Sequence, residues 1–211
     1  MALPLAERQK RAKIAQKMLI KLYPDPKPPL DHADAFSLLV AVALSAQTTD
    51  VMVNQVTPSL FKAAPTPQKM AKLTSEEILS HIKRVNYSPT KAKNLKKMSE
   101  KLVADFGGKV PKTFEELESL PGVGHKTASV VMSQMFGLAA FPVDTHIHRL
   151  AMRWKLSSGK SVVQTEEDLK TVFPEKTWHD VHLQMIFYGR EYCTTRSCDG
   201  TTCPICKKLN T

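Results

Sequence analysis

Three sets of side chains in this sequence stand where they could do chemistry: a lysine behind a glycine pair, an aspartate ahead of a helical run, and four clustered cysteines. The lysine is Lys126, after Gly122-Val123-Gly124-His125. Two glycines around one valine let the backbone take positive φ and approach a ligand closely. Amides exposed at the start of a following helix make a site for phosphate. A lysine in that opening turn meets the positive end of the helix dipole, which disfavours the cation and so favours the nucleophilic amine. His125 adds to the effect when protonated. An amine nucleophile forms Schiff bases with carbonyl carbons, including C1′ of an opened sugar. The competing reading is a lysine that contacts phosphate or is simply solvated. Asp144 precedes a helical stretch and suits an N-cap. A capped carboxylate could also stabilise developing positive charge or relay a proton. His146 and His148 are two apart and would point in different directions on a helix, so they make no metal pair; His148 reads as a packing or surface residue. Cys193, Cys198, Cys203 and Cys206 are separated by four, four and two residues. Cys203-Pro204-Ile205-Cys206 has the two-residue gap common to zinc and iron–sulfur sites, and spacing alone does not choose between them.

The chain of 211 residues carries 30 Lys+Arg against 20 Asp+Glu, a net charge of +10. Such a surplus points to a polyanionic partner, nucleic acid first and an anionic membrane surface second. No stretch approaches the ~18 uninterrupted apolar residues of a membrane span. The N-terminus meets charge at Glu7, Arg8 and Lys10, unlike a signal peptide. An intracellular protein keeps its thiols reduced, which favours a metal centre over disulfides for the four cysteines.

These groups need elements to hold them, and the periodicity predicts helices throughout. Residues 7–23 read as an amphipathic helix and 24–30, with four prolines, as a linker. Residues 35–45 are apolar enough for a buried helix, and Thr49 or Asp50 caps another running to about Lys62. Pro65 and Pro67 mark a loop. Thr74-Ser75-Glu76-Glu77 resembles a capping signature for a helix through Arg84. Asn86-Tyr87-Ser88-Pro89 reads as a turn, followed by a basic helix over 90–104 whose lysines form a solvated face. Helices at 113–120 and 127–137 flank the glycine turn, and others cover 142–154, 165–173 and 178–191. No segment alternates as a strand would. The expectation is an all-α protein of about ten helices.

Taken together, Leu120-Pro121-Gly122-Val123-Gly124-His125-Lys126-Thr127-Ala128, Val143-Asp144-Thr145-His146 and the C-terminal cysteines resemble the endonuclease III family of DNA glycosylases, in the helix-hairpin-helix–Gly/Pro-Asp superfamily. Leu44-Ser45-Ala46-Gln47-Thr48-Thr49-Asp50, Lys91-Ala92 with Asn94, and Tyr188-Gly189-Arg190 fall in that family's order, so the similarity covers nearly the whole chain. The resemblance implies two helical domains flanking a DNA-binding cleft. Residues 28–138 would form a six-helix barrel with the helix-hairpin-helix at 113–137, and 1–27 with 139–211 a second domain whose cluster loop spans 193–206. It implies a bifunctional enzyme of base excision repair that removes oxidised pyrimidines and nicks the abasic site. Lys126 would be the Schiff-base nucleophile and Asp144 the catalytic carboxylate. Gly122, Val123 and Gly124 would hold a backbone phosphate, with His125 and His146 also on the DNA side. Gln47 would fill the space left by the flipped nucleotide. Tyr87 stands where relatives often carry a leucine wedge. The cysteine gaps depart from the family's six, two and five. The shorter first loop keeps only Arg196 as a cation, which weakens its phosphate contacts. A [4Fe–4S] cluster on the four cysteines is the implied cofactor, with zinc the alternative. The implied partner is double-stranded DNA bearing damaged pyrimidines or abasic sites, met by a cytoplasmic, nucleoid-associated monomer of bacterial type. The rival readings are a monofunctional mismatch glycosylase and a non-catalytic DNA-binding protein with a zinc site.

Overall fold

The computed structural model describes residues 3–210, and the reading of Met1 and Ala2 as free of a signal peptide lies outside them. Twelve α-helices follow in order among the described residues: α1 (Leu5–Leu22), α2 (Ala35–Ser45), α3 (Asp50–Ala63), α4 (Pro67–Lys72), α5 (Ser75–Ile82), α6 (Ser88–Phe106), α7 (Phe114–Glu118), α8 (His125–Phe136), α9 (Thr145–Arg153), α10 (Val162–Val172), α11 (Trp178–Glu191) and α12 (Pro204–Asn210). One 3₁₀ turn, Glu175–Thr177, leads into α11, and no described residue is in a strand. The protein is all-α. Residues 28–138 make one compact unit, containing α2 to α8; residues 1–27 and 139–211 make the other, with α1 and α9 to α12.

Side-chain caps set most of the helix starts. Asp34 accepts from the Ser37 amide at 2.8 Å and opens α2, a segment apolar enough to bury on nearly all sides. Thr49, Thr66, Thr74, Thr113 and Ser161 cap α3, α4, α5, α7 and α10 in the same way. Each satisfies an amide that the first helical turn leaves open. In the 28–138 unit, α2 lies buried against α8, whose buried residues include the small Ala128, Ser129 and Ser133. The core of the other unit gathers Ala12, Ala15 and Leu19 of α1, Ile147, Leu150 and Trp154 of the α9 region, and Met185 and Tyr188 of α11. All four cysteines belong to that same core.

The structure departs from the sequence expectations in three places. Helix α4 stands where Pro67 suggested a loop, and α12 begins at Pro204, inside the expected 193–206 cluster loop. Both prolines occupy the first helical position, where the missing N–H costs nothing and the fixed φ favours the helix. The α6 lysines are also not all solvated. Lys91 Nζ donates to the carbonyls of Leu44 and Ala46 at 2.8 and 2.7 Å, and Lys96 Nζ to those of Ala71 and Leu73 at 3.1 and 3.0 Å. Each lysine closes off the C-terminal carbonyls of a neighbouring helix.

Candidate functional site: a glycine turn, a capped carboxylate and a thiol cluster

In the 28–138 unit the site begins at the turn between α7 and α8. The Val123 amide donates to the Leu120 carbonyl at 3.1 Å, closing a turn with Pro121 and Gly122 at its centre. Gly122 has φ +82°. Proline followed by a positive-φ glycine is what a type II turn requires. A Cβ on Gly122 would also come within 3.0 Å of Asn94 Nδ2 and 3.1 Å of Asn94 Cβ. Val123 is buried at 6 % exposure, while Gly122 and Gly124 on either side are exposed. The Val123 side chain anchors the turn in the core, and its amide closes the turn on Leu120.

Gly124 is the N-cap of α8, and no side chain caps this helix. An unprotected N-terminus of twelve residues' helix directs amides and positive potential outward, which suits a phosphate oxygen. Lys126 is the second residue of α8 and is exposed. His125 joins the two helices of the hairpin. Its Nδ1 lies 2.7 Å from Glu118 Oε1, and its ring stacks on Phe114 with centroids 5.3 Å apart.

Gln47 and Tyr87 belong to the same unit and share an uncommon backbone. Their φ angles are +55° and +57°; Lys155 is the one other non-glycine at positive φ among the described residues. Such conformations cost free energy and persist where the surroundings impose them. The Asn86 side chain donates to the Gln47 carbonyl, and the Asn86 amide to Thr48 Oγ1 at 3.2 Å. Gln47 and Tyr87 are thereby carried on two loops tied to each other. Helix α6 connects this pair to the hairpin. Lys91, Asn94 and Leu95 line a small cavity of about 20 Å³ together with Leu44, Pro121 and Gly122.

Asp144, in the other unit, caps α9: its carboxylate accepts from the Ile147 amide at 2.8 Å. The backbone before it is steadied by buried His182, whose Nδ1 donates to the Pro142 carbonyl at 2.8 Å. His146 Nδ1 accepts from Arg149 Nη2 at 3.1 Å, and Arg149 Nη2 also donates to Gly189 O at 2.8 Å. Gly189 lets α9 and α11 come close, since a Cβ there would lie 3.0 Å from that of His146. His148 Nδ1 pairs with Thr165 Oγ1 at 2.8 Å, a packing role.

The four cysteine sulfurs all lie within 4.8 Å of one another and are buried. No other group of three or more His, Cys, Asp or Glu among the described residues is placed to hold a metal. Arg153 Nη1 donates to Cys193 Sγ at 3.3 Å and to the carbonyls of Cys193 and Thr194 at 3.2 and 2.8 Å. Arg149 Nε reaches the same Cys193 carbonyl at 3.1 Å. The Gly200 amide points at Cys198 Sγ at 3.4 Å. Tyr188 Oη accepts from the Ile205 amide at 2.9 Å and fixes the start of α12. A hydrogen bond from Cys206 holds the Cys193 thiol down at about 5 against the opposing effect of burial, with Arg153 helping; that contact and burial push Cys206 up. Two cations and several donors around four thiols are what metal-bound thiolates need. Arg196, in the loop between Cys193 and Cys198, is exposed.

Sequence reasoning did not find the tie made by Asn86, the roles of Lys91 and Asn94, or the arginine pair at Cys193. Lys91 and Asn94 carried a signal in the family's motif order. Asn86 and the arginines carried none, because their partners are distant in sequence: 39 positions for Asn86 and Gln47, 40 for Arg153 and Cys193. No helix among the described residues is long and apolar enough to cross a membrane.

With this geometry in place, the chain can be set beside known proteins. The family profile described as HhH-GPD superfamily base excision DNA repair protein matches residues 40–175. Endonuclease III of Treponema pallidum (strain Nichols) is 44% identical over 190 residues, covering 89% of this chain and 90% of that one. Endonuclease III of Bacillus subtilis (strain 168) is 40% identical over 185 residues, covering 87% and 84%. Among solved structures, a trapped endonuclease III–DNA covalent intermediate in an estranged-adenine complex superposes with a TM-score of 0.89 at 36% identity, over 96% of this chain and 99% of that one. A thermostable thymine-DNA glycosylase shares the fold, with a TM-score of 0.81 at 24% identity over 95% of each chain.

Proposed function

Because the chain belongs to the HhH-GPD superfamily of base excision DNA repair proteins, and within it to the endonuclease III family, we propose that it is a bifunctional DNA glycosylase and AP lyase acting on oxidised pyrimidines. The observation that carries this reading is Lys126 in the first turn of α8, behind a glycine turn whose helix has no side-chain cap. The turn and the open helix end take a backbone phosphate, which sets the register of the duplex. The damaged nucleotide is rotated out of the stack to reach the chemistry. The amine of Lys126 attacks C1′ and the bond from C1′ to the base breaks, with Asp144 stabilising the developing positive charge on the sugar. Ring opening leaves an imine between Lys126 Nζ and C1′. Loss of a C2′ proton then expels the 3′ phosphate by β-elimination, and water releases the lysine. Gln47 fills the gap in the duplex and Tyr87 stacks beside it. His125, His146 and Arg196 contribute contacts on the same DNA. The net charge of +10 supplies the sequence-independent part of binding. The reading makes the protein a monomer of the bacterial cytoplasm, working on nucleoid DNA.

The four cysteines would hold a [4Fe–4S] cluster, which orders the C-terminal loop and needs no redox step in the reaction; family membership supports this. A second reading, zinc, is favoured by one observation. The Cys193 and Cys206 sulfurs are 3.9 Å apart. Zn–S bonds of about 2.3 Å in a tetrahedron put thiolates about 3.8 Å apart. Iron, sulfide and zinc analysis of the purified protein, with its visible absorption, decides between them.

Borohydride reduction tests the catalytic reading. With a duplex containing an oxidised thymine, the wild-type chain gives a covalent complex and Lys126→Gln gives none. Excision without nicking or trapping would make the protein a monofunctional glycosylase. Binding without excision would leave a DNA-binding module.

A further inference from the structure

The contacts between the Gln47 and Tyr87 loops lead beyond the assigned roles of those two residues. We infer that Lys91 and Asn86 are positioning residues that lock Gln47 and Tyr87 into a single two-pronged element, so that both side chains enter the duplex together or not at all. The inference rests on the proposed glycosylase reading, in which Gln47 and Tyr87 meet the DNA.

Gln47 follows the last turn of α2, where carbonyls lack helical partners. Lys91 Nζ gathers this end of the chain by donating to Leu44 O at 2.8 Å, Ala46 O at 2.7 Å and Thr48 Oγ1 at 3.1 Å. Gln47 lies between the last two acceptors. Its left-handed φ of +55° therefore has a fixed carbonyl before it and a fixed side chain after it. The same Thr48 Oγ1 accepts from the Asn86 amide at 3.2 Å, while the Asn86 side chain donates to Gln47 O. Tyr87 is the next residue, is itself left-handed at φ +57°, and is 64% exposed. It also precedes the first residue of α6, the helix that carries Lys91. One ammonium and one amide side chain thus close a ring of contacts through both strained residues. Lys91 is half-buried and its pKa is drawn down from the ordinary lysine value by that burial. Its three acceptors are two carbonyls and a hydroxyl, so the group serves to shape this loop and not to neutralise an acid.

Because the strain is imposed from outside, release at one point relaxes both residues. Two residues acting on one step through one ring of contacts give non-additive mutational effects.

The test uses the full chain and compares Lys91→Met, Asn86→Ala, Gln47→Ala and the Lys91→Met/Gln47→Ala double variant. Turnover on a lesion duplex, affinity for undamaged duplex, Tm, and the fluorescence of 2-aminopurine opposite the lesion are measured. Lys91→Met should lower kcat on the lesion roughly ten- to a hundredfold, as a misplaced group does. Affinity for undamaged duplex should change by less than about threefold, since few phosphate contacts are lost. The 2-aminopurine signal should fall as it does in Gln47→Ala, and the double variant should turn over no more slowly than Gln47→Ala alone. Asn86 is exposed, so Asn86→Ala tests the same ring without disturbing buried packing, and it should show the same fluorescence change with an unaltered Tm. Multiplicative loss in the double variant, or wild-type fluorescence in Lys91→Met or in Asn86→Ala, would overturn the inference while leaving the glycosylase reading intact. A wild-type chain that neither excises nor nicks would overturn the reading and the inference with it.

Discussion

The glycine turn and the thiol cluster answer the same need, fixing a reactive or binding group, by opposite means. At the turn the positioning is local. Four consecutive residues make it, Val123 is its buried anchor, and the working groups Gly124 and Lys126 stay exposed. The cluster is assembled from afar. Its four sulfurs are buried in the core of their unit, and from α9 Arg153 reaches the Cys193 sulfur while Arg149 holds the Cys193 carbonyl. A local, exposed device can lose its function while the fold stands. A buried, polar one cannot, because removing a partner leaves a desolvated group behind.

The largest expected difference is therefore in stability at the cluster. Cys206→Ala, or chelation of the metal, should unfold the unit built from residues 1–27 and 139–211, a loss of several kcal/mol in thermal or denaturant melts. Lys126→Gln should leave the melt within about 0.5 kcal/mol, as exposed substitutions do. Equal melting losses in the two variants would erase the contrast. Thiols must deprotonate to bind metal, so acid should release the metal.

Gly122→Ala sharpens the comparison on the side of the turn. Positive φ and a Cβ 3.1 Å from that of Asn94 should cost about 1–3 kcal/mol and abolish retention on DNA together. Asp144 separates its two duties more finely. Asparagine caps helices as well as aspartate does, so Asp144→Asn should hold the melt while excision collapses. Asp144→Ala should cost about 1 kcal/mol in addition. A fully active Asp144→Asn would reduce the residue to a cap. The smallest effect is in salt dependence. Log affinity for duplex should fall with log salt at about −0.9 per phosphate contacted, and Arg196→Ala should reduce that slope by at most about one contact.

How much of this could be read in the sequence follows from the same contrast. The turn was legible because its causes are adjacent: Pro121, Gly122 and the apolar spacing around them dictate one conformation. The cap at Asp144 was legible for the same reason. The cysteines announced a metal site through their crowding, but not the arginines that hold them. Proline misled at Pro67, since a residue that ends helices from within also starts them at the first position. The lysines of α6 misled because a lysine facing solvent and one closing a neighbouring helix have the same local pattern. What decides between them is the carbonyl of Leu44 or Ala71, which only the tertiary fold brings near.

The central claim is that Lys126 is the group that bonds to the sugar. After borohydride trapping on an abasic duplex, proteolysis and mass spectrometry of the adducted peptide measure it directly. The account predicts the deoxyribose mass on Lys126, in the peptide that carries Thr127 and Ala128. An adduct on Lys91, Lys112 or the N-terminal amine, with Lys126 unmodified, would contradict it.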